Sequence, residues 1–133
     1  MSTDKQAIIL GSGPGGLAAV LEAKRQGLEP VLISPEEIGG NALWHSLVPS
    51  KALIYAARHI RQAEQLGAVW DSSHWPEIMR RQEQTIKQLA QYSQSLLENV
   101  TYINDSARMI PGQSHTVAVE TASGDRYESD LLI

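Results

Sequence analysis

The chain has 133 residues, 42% of them apolar and 20% charged, a net charge of −4 and no cysteine. One core fits that length, and the composition excludes a disordered chain. Without cysteine there are no disulfides, thiolate metal sites or cysteine nucleophiles within the chain.

The acidic balance and scattered Lys and Arg argue against nucleic acid and against a membrane surface as partners. The apolar run before the first glycines is too short for a signal-peptide core or a membrane span, so a cytoplasmic location is expected. QAIIL, Gln6 to Leu10, is a short apolar run bounded by glycine and reads as a buried strand. Leu17 to Gln26 is rich in helix formers and stops at Gly27. PVLIS, Pro30 to Ser34, reads as a second buried strand. Together they predict a β-α-β unit with parallel strands.

Pro35 to Val48 reads as a loop. A helix is expected from Pro49 or Ser50 to about Leu66, with Leu53, Ala57, Ile60 and Leu66 on its apolar stripe. A second helix is expected after Ser72 or Ser73, with Pro76 in its first turn, running to about Glu98. Its narrow apolar side carries Ile78, Ile86, Leu89, Leu96 and Leu97, and glutamines fill much of the rest. From Val100 the period shortens: VTYI, ARMI, HTVAVET and RYESDLLI read as strands, with PGQS and ASGD as turns. The alternation in TVAVE predicts a strand with one wet face. The chain stops at SDLLI, inside an apparent strand, so the domain is expected to be truncated before its last part.

Gly11, Gly13 and Gly16 form G-x-G-x-x-G between the first strand and the first helix. In that setting the pattern indicates a dinucleotide site. Gly11 permits the tight turn, Gly13 lets the backbone approach a pyrophosphate, and Gly16 lets the helix pack close to the sheet. The free N–H groups and the helix dipole then face the phosphates. The acidic residue that ends the second strand in such sites, and binds a ribose diol, is here Ser34. Loss of that charge-assisted bond costs about 1–2 kcal/mol, roughly tenfold in affinity. Glu36 and Glu37 are close by, although Pro35 restricts how the chain reaches them. No Arg follows nearby, which disfavours a 2′-phosphate.

GSGPGG, LISPEEIGG and VPSKALIYAA, at their separations, resemble the FAD-binding N-terminus of the pyridine nucleotide-disulfide oxidoreductases. That family includes dihydrolipoamide dehydrogenase, mercuric reductase and soluble transhydrogenase. SHWPEIMRRQEQTIKQL is similar to the family's long helix, and NVTYINDSARMI, HTVAVET and YESDLLI to the strands after it. The resemblance implies an α/β fold: a Rossmann-like FAD-binding domain with a parallel sheet, helices and a small antiparallel β-meander. It also implies NAD(P)H as a second cofactor, with the NAD(P)-binding and C-terminal dimerisation domains lying outside these 133 residues. By the same resemblance Gly11, Ser12, Gly13, Gly15 and Gly16 would hold the pyrophosphate of FAD, and Ser34 would face the adenosine ribose. Gly40 and Asn41 would lie along the cofactor, Lys51 beside the flavin ring near N5, and Ala107 against the adenine through its backbone.

The departures fall in GGNALWHSLVPSK. The family's loop reads Gly-Gly-Thr-Cys, four residues, Cys, then Ile-Pro-Ser-Lys, and here the two cysteine positions are Ala42 and Leu47. Neither can carry thiol-disulfide exchange, which requires a thiolate. Trp44 and Leu47 are expected to fill the volume of the lost disulfide. The expected activity is flavin-dependent transfer of electrons from NAD(P)H to a small acceptor such as a quinone or another nicotinamide. The competing reading is a non-catalytic binding module with weak or no FAD binding. Uncovered sheet edge and cleft surface predict self-association, as a homodimer or otherwise.

Overall fold

β1 (Gln6–Leu10), α1 (Pro14–Arg25) and β2 (Glu29–Ile33) form the β-α-β unit, with Ile8 opposite Val31 and Leu10 opposite Ile33 in parallel register. The computed structural model describes residues 6–113 and 115–133. The start of the chain and Ser114, the last residue of the PGQS turn, lie outside them. The described residues form two compact units, one comprising the chain up to Gly40 and Ser93–Ile133, the other Asn41–Tyr92.

In the first unit β3 (Thr101–Ile103) adds to β2 in parallel, giving the order β1-β2-β3. A second sheet is antiparallel: β4 (Ala107–Ile110), β5 (Val117–Thr121) and β6 (Arg126–Ser129), with β5 in the middle. Adjacent residues of β1 serve opposite faces, as strand geometry requires. Ile9 joins Leu17, Val20, Leu32 and Leu97 on the α1 side. Ile8 joins Val31, Ile33 and Val119 on the side of the antiparallel sheet. Each such side chain contributes about 1.5–3 kcal/mol by leaving water. This is an α/β Rossmann-like arrangement with an antiparallel meander on one face, the predicted class.

The last apolar run is two elements where the sequence suggests one. β6 ends at Ser129, whose buried hydroxyl donates to the Gln6 carbonyl at 2.6 Å. The chain then runs parallel to β1: the Ile8 N–H donates to the Leu131 carbonyl at 2.9 Å and the Leu10 N–H to the Ile133 carbonyl at 2.8 Å. TVAVE does not alternate either. Ala118 and Val119 are both buried, Val119 against Ile8, Val31 and Ile33, so neither face of β5 is wet at its centre.

The second unit is built of helices. α2 (Gly40–Trp44) is a short helix inside the predicted loop. α3 spans Leu47–Gln65, starting two residues before Pro49. A single 3-10 turn at Ser72–His74, capped by Asp71 accepting from the Ser73 N–H at 2.7 Å, leads into α4 (Trp75–Ser95). The less exposed stripe of α3 is Ala52, Leu53, Ala56 and Ile60, whereas Ala57 is exposed and Leu66 is 91% exposed. On α4 it runs Ile78, Gln82, Ile86, Ala90, and Gln82 donates to the Pro49 carbonyl at 2.9 Å. No helix among the described residues is long and apolar enough to cross a membrane.

Glu128 ties the meander's turn to β6. It accepts from the Thr116 hydroxyl, from the Gln113 N–H at 2.8 Å and from Arg126 at 2.8 Å. These donors, Thr116 first, hold its carboxyl down to about 2, below the ordinary 4.5. A lowered folded-state value means its stabilisation is present above pH 4.5 and is lost as pH falls toward 2. Glu128→Gln is expected to lower the melting temperature by a few degrees at pH 7. The gap to the parent should narrow between pH 4.5 and 2, as a thermal-melt pH series would record.

Candidate functional site

The ends of β1 and β2 place two glycine-rich segments against each other. Gly11, at φ +101°, turns the chain out of β1 while its N–H donates to the Ile33 carbonyl at 2.8 Å. α1 then begins behind Gly13, with Pro14 in its first turn, no side-chain cap and no acidic residue there. Leu17 donates to the Gly13 carbonyl at 3.0 Å. Pro14 has no N–H, and the Gly15 and Gly16 N–H groups, lying in the first turn, have no intrahelical acceptor and point from the positive end of the helix.

The glycines differ in what demands them. A Cβ on Gly16 would lie 1.7 Å from the Gly11 carbonyl oxygen, so Gly16 is fixed by the approach of α1 to the turn. A Cβ on Gly40, which is at φ +60°, would lie 2.9 Å from Gly13 Cα. Gly13 and Gly15 are different. Neither has a positive φ, and beyond its chain neighbours and the backbone of α1 no protein atom lies within 4 Å of a Cβ built on either. The fold's own packing does not require glycine there, and the open space suits a phosphate at the helix N-terminus.

Ser12 and Ser34 lock the segments together. Ser12 Oγ donates to Ser34 Oγ at 3.0 Å and is 3.2 Å from the Glu37 carbonyl. Ser34 Oγ also accepts from the Glu36 N–H at 3.2 Å, and the Gly39 N–H donates to the Ser12 carbonyl at 2.8 Å. Ser34 is 2% exposed. Tyr102, which no sequence pattern singled out, donates its hydroxyl to the Glu36 carbonyl at 2.9 Å. Burial pushes its phenol up, which keeps it a donor. Its signal in the sequence is faint: an aromatic with a polar tip in a short strand after a helix.

Of the sequence-selected residues, Gly11, Ser12, Gly13, Gly15, Gly16, Ser34 and Gly40 come together here. Ala107 opens β4 opposite Thr121, its side chain packed against the Ile8–Val31–Ile33–Val119 cluster. Asn41 and Lys51 belong to the second unit. Asn41 Nδ2 donates to Ser46 Oγ at 3.3 Å, and its carbonyl accepts from the His45 N–H at 2.9 Å. Lys51 is exposed on α3 and lines an open groove of about 1050 Å³ with Ala52, Tyr55, Ile78 and Gln82. None of the ion pairs among the described residues involves it. Leu47 is 53% exposed at the start of α3 and fills no interior volume, contrary to the expectation for it.

Residues 5–133 match the family model described as pyridine nucleotide-disulphide oxidoreductase. The chain belongs to this family of flavin-dependent oxidoreductases. It is 29% identical over 148 residues to a dihydrolipoyl dehydrogenase of Bacillus subtilis, covering 100% of this chain and 30% of that protein. A second dihydrolipoyl dehydrogenase of B. subtilis is 33% identical over 134 residues, covering 94% and 29%. The crystal structure of LpdA from Mycobacterium tuberculosis superposes with a TM-score of 0.75 at 25% identity, covering 96% of this chain and 30% of that one. The flavoprotein disulfide reductase RclA from Escherichia coli shares the fold, with a TM-score of 0.70 at 18% identity and 96% and 27% coverage. The chain thus spans under a third of the length of these relatives.

The residues present fit FAD at the glycine loop. The uncapped helix N-terminus, the bare sides of Gly13 and Gly15 and the absence of a first-turn acid suit a pyrophosphate.

Proposed function

We propose that the chain is the N-terminal part of an FAD-binding domain in a flavin-dependent NAD(P)H oxidoreductase. In this reading the enzyme works without a dithiol and passes electrons to a small acceptor such as a quinone or a second nicotinamide. The observation that carries the reading is the pair Gly13 and Gly15, glycines that the protein's own packing does not demand.

Gly11, Ser12, Gly13, Gly15 and Gly16 hold the pyrophosphate in this reading, through backbone N–H groups and the helix N-terminus. Gly40 leaves room beside Gly13, and Ser12 with Ser34 fixes the turn against the end of β2. Asn41, Lys51 and Ala107 keep the roles the family implies, Lys51 supplying positive charge near the flavin ring. FAD, when bound, supplies reversible electron transfer that no side chain of this chain supplies. The protein is cytoplasmic in this reading and pairs with a second copy, for which sedimentation equilibrium is the check.

Titrating FAD into the 133-residue chain, followed by tryptophan fluorescence, is expected to give saturable binding in the micromolar range or weaker. Submicromolar affinity would overturn the expectation that further flavin contacts are needed. A longer natural form carrying this chain should be yellow and oxidise NAD(P)H when given a quinone. A folded, colourless protein that binds no FAD would leave the binding-module reading instead.

A further inference from the structure

We propose that Glu36, two residues past the end of β2, binds the adenosine ribose diol of the dinucleotide, a role that rests on the FAD reading above. In sites of this kind a carboxylate at the end of the second strand takes the diol. Ser34 stands at that position but is 2% exposed, and its hydroxyl is held between Ser12 Oγ and the Glu36 N–H. That hydroxyl fastens the glycine loop, and its burial keeps it from reaching a ligand in the cleft.

Glu36 has the opposite arrangement: its backbone is fixed and its side chain is exposed. Its N–H donates to Ser34 Oγ at 3.2 Å, its carbonyl accepts from the Tyr102 hydroxyl at 2.9 Å, and Ser12 Oγ is 3.3 Å from the same oxygen. Pinned in this way, the backbone needs no further ordering when a ligand binds, and only the side chain has rotamer freedom to lose. The carboxylate is also in the right place. Glu36 Oε2 is 3.6 Å from a Cβ built on Gly40, at the point where Gly40 meets Gly13 Cα. It therefore stands beside the glycine past which the pyrophosphate would run, on the side of the β2 end where sites of this kind take the ribose. Two carboxylate oxygens accept from the two hydroxyls of a vicinal diol. The same negative charge would repel a ribose 2′-phosphate. Glu37 is equally exposed, but its carbonyl accepts from the Gly40 N–H at 2.9 Å, and it serves as the control.

The test is an NMR titration of ADP and of 2′,3′-dideoxy-ADP into the parent chain, Glu36→Gln and Glu37→Gln, with circular dichroism confirming the fold of each. Removing a charge beside the phosphates alters both affinities alike, so their ratio isolates the diol contact. The parent should prefer ADP by about tenfold, the size of one charge-assisted contact. Glu36→Gln should bring the ratio close to one, and Glu37→Gln should leave it unchanged. A preference that survives Glu36→Gln, or that Glu37→Gln abolishes, overturns the assignment, as does ADP binding with no diol preference in the parent. If the folded parent binds neither ADP nor FAD, the FAD reading fails and this assignment falls with it.

Discussion

Gly16→Ala is expected to lower the melting temperature by about 10 °C or more, whereas Gly13→Ala should leave folding nearly intact and abolish FAD binding. The contrast follows from what each added methyl meets. At Gly16 the new Cβ would lie 1.7 Å from a backbone carbonyl oxygen, which cannot swing aside as a side chain would. Relief requires α1 to move off β1, and forced overpacking costs about 3 kcal/mol or more when backbone must shift. At Gly13, φ is −74° and ψ is −176°, extended geometry that alanine adopts without strain. Alanine is a poorer N-cap than glycine, by up to about 1 kcal/mol. Beyond its chain neighbours the methyl meets no protein atom within 4 Å, so on the FAD reading what it displaces is the ligand. Thermal melts and FAD titrations on both variants separate the two roles. Equal damage to stability from both would remove the argument that Gly13 is kept for a ligand.

The motif already gives these two glycines different roles by position, and the structure adds what a methyl would meet at each: a backbone carbonyl at Gly16 and open space at Gly13. The motif, β1 and the β-α-β order are legible because buried strands and glycine turns announce themselves locally. The start of α3 is less so. Pro49 marks the first turn of a helix, not its first residue, because none of the first-turn N–H groups needs an intrahelical acceptor. The same applies to its buried stripe. Ala56 and Ala57 look alike, and only packing decides that Ala56 is the more covered. RYESDLLI reads as one strand because local pattern cannot reveal that Ser129 hands the chain from one sheet to another. Ser34 is the most instructive case. Its identity shows that the expected acid is missing. Only its burial and its bond to Ser12 show that the hydroxyl is occupied, which moves attention to Glu36.

On the reading proposed above, an oxidoreductase that carries this chain as its N-terminal part, given NADH and lipoamide, is expected to turn over no faster than the enzyme-free control. Given a quinone, it should oxidise NAD(P)H well above that control. Disulfide exchange proceeds through a thiolate, and this chain has no cysteine at all. The two loop positions at issue carry Ala42, half-buried in α2, and Leu47, exposed at the head of α3. Neither side chain has a group that could attack sulfur or accept its electrons. Direct transfer to a quinone places no such demand on the loop, because the electrons leave the cofactor without a protein sulfur between. The chain keeps its glycine-rich turn and has no cysteine, and on the reading proposed above that combination separates cofactor binding from dithiol chemistry. Lipoamide turnover above the control would mean that sulfur from elsewhere in the protein reaches the cofactor. The loop Gly39 to Lys51 would then be a wall beside the reaction, and its substitutions would say nothing about the acceptor.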